Sequence, residues 1–344
     1  MERKDRIDAF GALVIFLIIG IYYNSQKHEE ITTTDRERQQ FIDFKKLLAF
    51  LLLIVFAVKA AAFPVQFWLP ATYANAPAPV AALFAIMTKV GAYAILRVYS
   101  LLFGPDSGPA AGLLDPWLLP LALLTVAAGT LGVLASRRLA QQAAYLVVVS
   151  AGTLLTAFGV GGAEAVAAGI YYLAHTTFAA AALFLLADVI SRARGAHADR
   201  LVSGPDLPRG QLLAGVFLLI AIAVSGLPPL SGFIGKWLIL QSSIGNPWMS
   251  WVLAVLLITS LLGVMGLARS GSQLFFDTDG WAEAGPAIRL SDLAAPLVLV
   301  LLGIVLVVYA GPLYEFSRAA ATQLVQPSAY VEAVLQTAEA GRIR

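Results

Sequence analysis

The sequence contains no cysteine, which excludes disulfide bonds, thiolate metal sites and a cysteine nucleophile. It contains only three histidines, His28, His175 and His197, too few for a histidine-rich metal centre. Neither of the standard glycine-rich phosphate-binding loops is present, which argues against nucleotide-driven chemistry. We therefore expect no cofactor and no bound metal, and we predict no catalytic residue.

Charged residues are also scarce. They make up 13% of the 344 residues, whereas hydrophobic residues make up 59% and the mean hydropathy is +0.79. This composition is typical of a polytopic membrane protein rather than a soluble domain. The net charge of +2 does not indicate nucleic-acid binding, because the basic residues lie in short loops and within apolar runs. The first apolar run, residues 10–23, has no small-residue cleavage site and is interpreted as a membrane anchor.

Apolar runs predict an all-α fold, a transmembrane helix bundle that includes discontinuous helices. Nine spans are predicted, at residues 7–23, 44–69, 80–103, 117–135, 141–160, 163–190, 211–243, 248–276 and 293–314. Residues 1–46 are assigned to an atypical N-terminal anchor and polar connector, 47–314 to the transmembrane domain and 315–344 to a C-terminal tail. The Ala-Pro-Ala-Pro stretch at residues 76–79 is expected to be non-helical.

Arginines set the predicted orientation. From the fourth span onward they fall on alternate loops, at Arg137, Arg138, Arg192, Arg194, Arg200, Arg209, Arg269 and Arg289. The short loops near Gly161 and Gly245 carry none. The positive-inside rule therefore predicts that the arginine loops are cytoplasmic and that the C-terminal tail lies outside.

The predicted span at residues 211–243 is too long for one straight helix. Its 33 residues would reach roughly 50 Å, whereas the hydrocarbon core is about 30 Å thick. Pro228 and Pro229 each remove a backbone donor, so we predict two half-helices with a break between them. Pro64 is expected to break the second span in the same way. Lys59 precedes that break and Lys236 follows the other, a mirrored arrangement typical of inverted repeats.

Four titratable side chains lie inside apolar runs and are the candidate site: Lys59, Lys89, His175 and Lys236. A lysine shielded from water can gain and lose a proton near neutral pH, and histidine titrates there without help. Linked by water, the four groups would form a proton relay through the membrane interior. Alternatively, the lysines snorkel to an interface or bind freed carbonyls, and the histidine is a packing residue. Structural or interfacial roles are expected for Arg97, Glu164 and Asp188.

Several motifs carry a family resemblance. They are Phe-Ala-Val-Lys-Ala-Ala-Ala-Phe-Pro-Val-Gln-Phe-Trp-Leu-Pro at 56–70, Ala-Pro-Ala-Pro-Val-Ala-Ala-Leu at 76–83, Thr-Lys-Val-Gly-Ala-Tyr at 88–93 and Gly-Leu-Pro-Pro-Leu-Ser-Gly-Phe-Ile-Gly-Lys at 226–236. In this order they resemble the D subunits of the multisubunit Mrp-type (Pha-type) monovalent cation/proton antiporters. Those subunits are similar to the antiporter-like proton-pumping subunits of respiratory complex I. The resemblance covers residues 47–314.

The resemblance implies an antiporter-like fold with a partial first repeat. Lys59 would be the lysine of the first broken helix, paired with a glutamate two helices earlier, and Lys89 the linking lysine on the next helix. His175 would join the two half-channels, and Lys236 would be the terminal lysine. The glutamate would lie upstream of the matched motifs, and residues 1–46 offer no membrane-embedded candidate. The chain is therefore expected to be an N-terminally truncated or altered subunit.

The implied setting is the bacterial inner membrane, crossed many times. The implied partners are the other subunits of the complex, the lipid bilayer, protons and Na⁺ or K⁺, with no nucleic acid. Three functions stay open. The first is a proton-translocating antiporter subunit, the second a pumping subunit of a complex I-like oxidoreductase or membrane hydrogenase, and the third a truncated structural subunit that transports nothing. The Ala-Pro-Ala-Pro sequence at 76–79 and the Leu-Pro-Pro-Leu-Ser-Gly sequence at 227–232 favour the antiporter.

Overall fold

The computed structural model describes residues 35–104, 111–113, 115–207, 209–278, 284–286 and 288–327, without the side chains of 35–43 and 45. The predicted first span, residues 7–23, lies outside this part of the chain. The described residues form α1 (Asp35–Ala60), α2 (Trp68–Ala74), α3 (Ala78–Leu102), α4 (Asp115–Ala135), α5 (Leu139–Val160), α6 (Gly162–Ala193), α7 (Gly210–Ser225), α8 (Ser231–Ser242), α9 (Met249–Phe275), α10 (Ala294–Val308) and α11 (Ala310–Val325). Short 3-10 helices occupy Gly195–His197 and Leu290–Leu293. No strand occurs within the described ranges, so the all-α prediction is confirmed.

The chain divides into two compact units. The smaller unit comprises residues 1–52 and 101–113, and its described part contains the beginning of α1, the end of α3 and the turn after α3. In that turn the Gly112 N–H donates to the Phe103 carbonyl over 3.2 Å. The larger unit comprises residues 53–100 and 114–344 and contains all four candidate side chains.

Helix α6 is the centre of the larger unit. It is 32 residues long and packs against α5, α7, α8, α10 and α11. Its residues are apolar on nearly every side, the pattern of a helix surrounded by other helices. Leu183, Leu186 and Ile190 are fully buried there. A side chain in the middle of α6, such as His175, is therefore held within packed protein.

Most predicted spans agree with the observed helices. The ends of α3, α4, α5, α6 and α9 lie within three residues of the predicted boundaries. Six helices in the described part of the chain are long and apolar enough to cross a membrane: α3, α4, α5, α6, α9 and the segment Leu290–Val308. Helix α7 is apolar but shorter. The predicted span at 211–243 is the pair α7 and α8, so discontinuity is a feature of the fold.

Three helices end four residues before a proline. Helix α1 ends at Ala60 before Pro64, α7 at Ser225 before Pro229, and α10 at Val308 before Pro312. Proline has no N–H to bond the carbonyl four residues earlier, and its ring clashes with that carbonyl. Proline position therefore sets these helix ends.

The prediction of one continuous last span at 293–314 is wrong for this reason. Helix α10 stops at Val308 and a separate helix, α11, begins at Ala310. The second span was also predicted with wrong limits, because α1 begins at Asp35 and ends at Ala60 instead of covering 44–69. The predicted boundary between residues 314 and 315 falls inside α11.

The expectation that residues 76–79 are non-helical is wrong in part. Ala78 and Pro79 form the first turn of α3. Proline is tolerated there, because the N–H groups of a first turn have no partner within the helix. Pro70, predicted to start the loop, lies instead within the short helix α2.

The arginine-bearing loops meet at one end of the larger unit. Leu139 N–H donates to the Asp199 carbonyl and Leu201 N–H to the Arg137 carbonyl, both over 2.9 Å. These bonds join the α4–α5 loop to the α6–α7 loop. At the opposite end, the side-chain amide of Asn246 donates to the Val160 carbonyl over 3.3 Å. Alternate loops thus share an end, as the arginine pattern predicts.

Two buried polar residues hold the arginine end together. Arg194, which follows α6, is fully buried and donates to the carbonyls of Arg200 and Val202. Burial lowers the pKa of its guanidinium, and nearby Asp199 acts in the opposite direction. The Asp199 carboxylate, itself buried, accepts 2.9 Å hydrogen bonds from Arg138 Nε and the Ala140 N–H.

Asp199→Asn should destabilise the protein by about 1–3 kcal/mol, because it removes the charge and replaces one acceptor oxygen with a donor at a buried site. Thermal unfolding of the purified protein in detergent measures the effect. The matched control is Asp188→Asn, whose ion pair with Arg192 is half-exposed and should contribute about 0–1 kcal/mol. Equal effects of the two substitutions would contradict this assignment.

Candidate functional site

The first helix break lies between α1 and α2, and protein groups satisfy its backbone. The Phe63 N–H donates to Thr125 Oγ1 of α4 over 2.9 Å. The Trp68 indole N–H donates to the Val58 carbonyl, also over 2.9 Å. Such partners are required wherever irregular backbone lies at membrane depth. The break containing Pro64 is therefore a built feature whose partners come from α1, α2 and α4.

Lys59 lies in the last turn of α1, directly before this break. Its backbone packs closely against α3, since an ideal Cβ on Gly91 would lie 2.8 Å from the Lys59 carbonyl carbon and 2.7 Å from the Ala60 nitrogen. Its side chain, however, is exposed. In the described chain the backbone of Lys59, rather than its amine, makes the contact with α3, and the role of Lys59 in a proton path stays a prediction.

Lys89 is the most deeply buried cation of the candidate site, with no exposed area. Its Nζ has no hydrogen-bond partner among the described residues. The preceding residue, Thr88, hydrogen bonds to the Tyr73 hydroxyl over 2.9 Å, and that hydroxyl also donates to the Phe84 carbonyl over 2.7 Å. Lys89 thus follows an ordered polar contact between α2 and α3, while its own amine stays unpaired.

The second break lies between α7 and α8 and contains Pro228 and Pro229. Lys236, on α8, donates from Nζ to the Ser225 carbonyl over 2.8 Å and to Ser260 Oγ of α9 over 2.9 Å. Ser225 is the last residue of α7, so the amine binds a carbonyl that the break has freed. This side chain therefore ties both half-helices to α9.

Lys236 also borders a cavity between α8 and α9. The cavity has a volume of about 610 Å³. Its walls include Ser225 and Ser260 but are mostly apolar, with residues such as Trp237 and Leu257. Lys236 is accordingly half-buried and has free space on one side, unlike Lys89.

His175 contacts the same break from the opposite side. Its Nδ1 lies 2.8 Å from Ser231 Oγ, at the start of α8, and its Nε2 lies on the side of the Ala223 carbonyl in the last turn of α7. The Tyr172 ring lies 5.9 Å from the imidazole, centroid to centroid. Only 3% of His175 is exposed.

The candidate side chains form two groups. His175 and Lys236 meet at the second break, and His175 lies within electrostatic range of both Lys236 and Lys89. Lys59 contacts α3, the helix of Lys89, through its backbone near Gly91. No cluster of metal-binding side chains occurs in the described ranges.

Sequence reasoning missed the serines that hold these groups. Ser231 is the first residue of α8, directly after the break that contains Pro228 and Pro229, so its position in the sequence could have identified it. Ser260 lies inside an ordinary apolar helix, where nothing in the sequence distinguishes it from Ser270, which bonds its own helix backbone. Only the packing of α9 against α7 reveals its role.

Comparisons with known proteins agree with this architecture. The family model described as NADH:quinone oxidoreductase/Mrp antiporter, TM matches residues 7–263, beginning upstream of the motifs quoted above. The probable K⁺/H⁺ antiporter D subunit of Rhizobium meliloti is 36% identical over an alignment of 319 residues, with coverage of 84% of this chain and 58% of that protein. The Na⁺/H⁺ antiporter D subunit of Alkalihalophilus pseudofirmus is 35% identical over 293 residues, with the same coverage of 84% and 58%.

A solved structure shows the same fold. A chain of the Mrp complex from a Dietzia species superposes with a TM-score of 0.73 at 24% identity, covering 84% of this chain and 61% of that one. The chain therefore spans less than two thirds of the length of these similar proteins.

Gly232→Ala should destabilise the second break by about 1–3 kcal/mol, because its Cβ would overlap atoms that hold the site. An ideal Cβ at Gly232 would lie 2.3 Å from the Ala223 carbonyl oxygen and 2.7 Å from His175 Nε2. Thermal unfolding in detergent measures the loss. The control, Gly215→Ala on α7, meets nothing within 4 Å and should be neutral or stabilising by up to about 1 kcal/mol. A neutral Gly232→Ala would show that the contact is not tight.

Proposed function

The chain belongs to the NADH:quinone oxidoreductase/Mrp antiporter transmembrane family, and on that premise we propose that it is the proton-translocating membrane subunit of a multisubunit Na⁺(K⁺)/H⁺ antiporter in a bacterial inner membrane. The names of the similar curated proteins support this proposal, since two of them are antiporter D subunits. The chain covers 58% of the length of each of these two proteins, so their antiporter activity is a proposal for this chain.

One observation carries the proposal: two titratable side chains bind the two half-helices of one break. Lys236 binds the Ser225 carbonyl of α7, and His175 binds Ser231 of α8 and lies beside the Ala223 carbonyl of α7. A structural lysine would need only the carbonyl. A buried histidine and a half-buried lysine within electrostatic range of each other, inside a membrane bundle, indicate a path for charge.

The hydrogen bonds of Lys236 are compatible with both of its protonation states. An ammonium group has three hydrogens, and two are used, on the Ser225 carbonyl and Ser260 Oγ. The neutral amine keeps two hydrogens and gains a lone pair, so it can bond the same partners. Release of a proton from Lys236 therefore leaves the freed carbonyl satisfied, which a proton carrier at a helix break requires.

The rest of the proposed path runs through Lys89 to Lys59. Lys89 lacks a hydrogen-bond partner in the described chain, so nothing there balances its charge when protonated. The exposed amine of Lys59 is available to a carboxylate from another segment or subunit, the pairing that the family resemblance implies. Protons passing between these groups would act electrostatically on cation movement in partner subunits.

The family description also includes oxidoreductase subunits, so a complex I-like or hydrogenase-like pump is the second candidate. The antiporter is preferred because the curated relatives carry that name. Purification of the native complex separates the two. Co-purifying subunits without flavin or iron–sulfur centres support the antiporter, and their presence would support the pump.

Lys236→Arg and Lys89→Arg should each lower cation/proton exchange roughly 100-fold or more, because arginine keeps the charge but does not release its proton. Exchange is measured in inverted vesicles that contain the assembled complex, with Na⁺ and with K⁺ in turn. Assembly is checked by co-purification of the partner subunits.

The control is Lys46→Ala on α1, outside the proposed path, which should exchange normally. Wild-type exchange in both arginine variants would contradict the proposed proton relay, since it would show that neither amine has to deprotonate. Wild-type complex that assembles but moves no protons would instead support the structural-subunit alternative.

A further inference from the structure

The two ring nitrogens of His175 have different kinds of partner. Nε2 lies on the side of the Ala223 carbonyl, because both atoms are within 2.7 Å of the point where a Cβ on Gly232 would sit. A carbonyl only accepts, so the tautomer that suits the neighbouring Ala223 carbonyl carries its hydrogen on Nε2. In the neutral ring Nδ1 is then the acceptor, and the Ser231 hydroxyl 2.8 Å away is its donor.

The Ser231 hydroxyl can reverse this bond. When His175 takes up a second proton, Nδ1 becomes a donor and Ser231 Oγ must accept. The hydroxyl hydrogen then needs a new acceptor. Ser231 is buried, yet its position at the first turn of α8 leaves its side chain free of its own helix backbone.

A small cavity provides room for that acceptor. It has a volume of about 20 Å³ and is lined by both His175 and Ser231. A single water needs roughly 10–15 Å³ of such space and at least two polar partners. The other lining residues, which include Ile220, Leu299 and Gly303, carry no titratable group. The cavity therefore fits one water between otherwise apolar walls.

We propose that Ser231 is the proton-relay residue of His175 and that the adjoining cavity is the binding site of the relay water. This inference rests on the proposed proton-transport function. In each uptake step, the relay water first accepts a proton from the proposed proton path. Nδ1 then takes the hydrogen of the Ser231 hydroxyl while Ser231 Oγ takes one proton from that protonated water, which returns to neutral. One proton thus enters the ring, and the serine ends with as many hydrogens as it began.

The surroundings of His175 leave one side of the ring next to a hydroxyl. Tyr172 packs beside the ring. Nε2 lies on the side of the Ala223 carbonyl, which has no hydrogen to give. The Nδ1–Ser231 side is therefore the route by which a proton enters the ring.

Nitrogen-15 NMR of the membrane-embedded protein tests the geometry directly. The His175 signals are identified by their loss in His175→Gln, which separates them from His28 and His197. We expect a hydrogen-bonded Nδ1 without a hydrogen in the neutral wild-type ring, and a changed Nδ1 shift in Ser231→Ala. A hydrogen on Nδ1 in the neutral ring would overturn the proposal, whatever the variants do.

Transport provides the second readout. Ser231→Ala should lower cation/proton exchange about tenfold, equivalent to about 1.4 kcal/mol, and change its pH profile. Ser231→Thr, which keeps the hydroxyl, should restore exchange to within about twofold, and Ser270→Ala, a buried serine that bonds only its own helix, should have no effect. Wild-type exchange and pH profile in Ser231→Ala would overturn the relay.

The two proposals fail separately. If the lysine-to-arginine variants exchange normally, the proton path is wrong, yet the NMR measurement still decides whether Ser231 donates to Nδ1. If Ser231→Ala does not assemble, the wild-type tautomer and the Ser231→Thr variant decide the relay.

Discussion

The structure depends on one constraint: backbone groups freed inside the hydrocarbon must find partners within the protein. Prolines end α1 at Ala60 and α7 at Ser225. Each helix end leaves carbonyls without a partner four residues later, and the hydrocarbon core contains no water to bind them. The Trp68 indole binds one of these carbonyls and the Lys236 amine binds another. At the second break, the residue that binds a freed carbonyl is itself titratable. At the first break, the bound carbonyl belongs to Val58, the neighbour of the titratable Lys59.

The two breaks are repaired by different chemistry, and this difference shapes the site. At the first break the partners are neutral, an indole and a threonine hydroxyl, so Lys59 is not needed for the backbone and its amine is exposed. At the second break the lysine itself is the partner. The mirrored order of lysine and proline in the sequence therefore does not correspond to equivalent contacts. Lys236 binds the backbone at its break, whereas Lys59 does not.

The sequence predicted the features that local chemistry determines. Proline positions gave both breaks, and apolar runs gave α3 to α6 and α9 within three residues. It did not predict the stop at Val308, although Pro312 carries the same signal as Pro64, because the surrounding run stays apolar. It also placed Lys59 and Lys89 in similar surroundings. Which lysine is covered depends on which helix packs over it, and that is tertiary information.

Helix α6 sets the distance between the two halves of the site. The Phe184 ring lies 6.3 Å from the Tyr73 ring of α2, centroid to centroid, while His175 contacts the second break. The two positions are nine residues apart on one helix, which corresponds to roughly 13 Å of rise. A rigid helix of this kind holds the α2 side of the first break and the second break at a fixed separation.

That separation between the two ends of the site is far longer than a hydrogen bond, so a proton path from one break to the other would need intermediate groups. Thr176 has a buried Oγ1 without a partner among the described residues, and the Lys89 amine is in the same condition. Buried polar atoms in this state are where bound water is expected in proteins. In the proposed path the two breaks would be the ends, and hydration of the space between them would decide whether protons cross it.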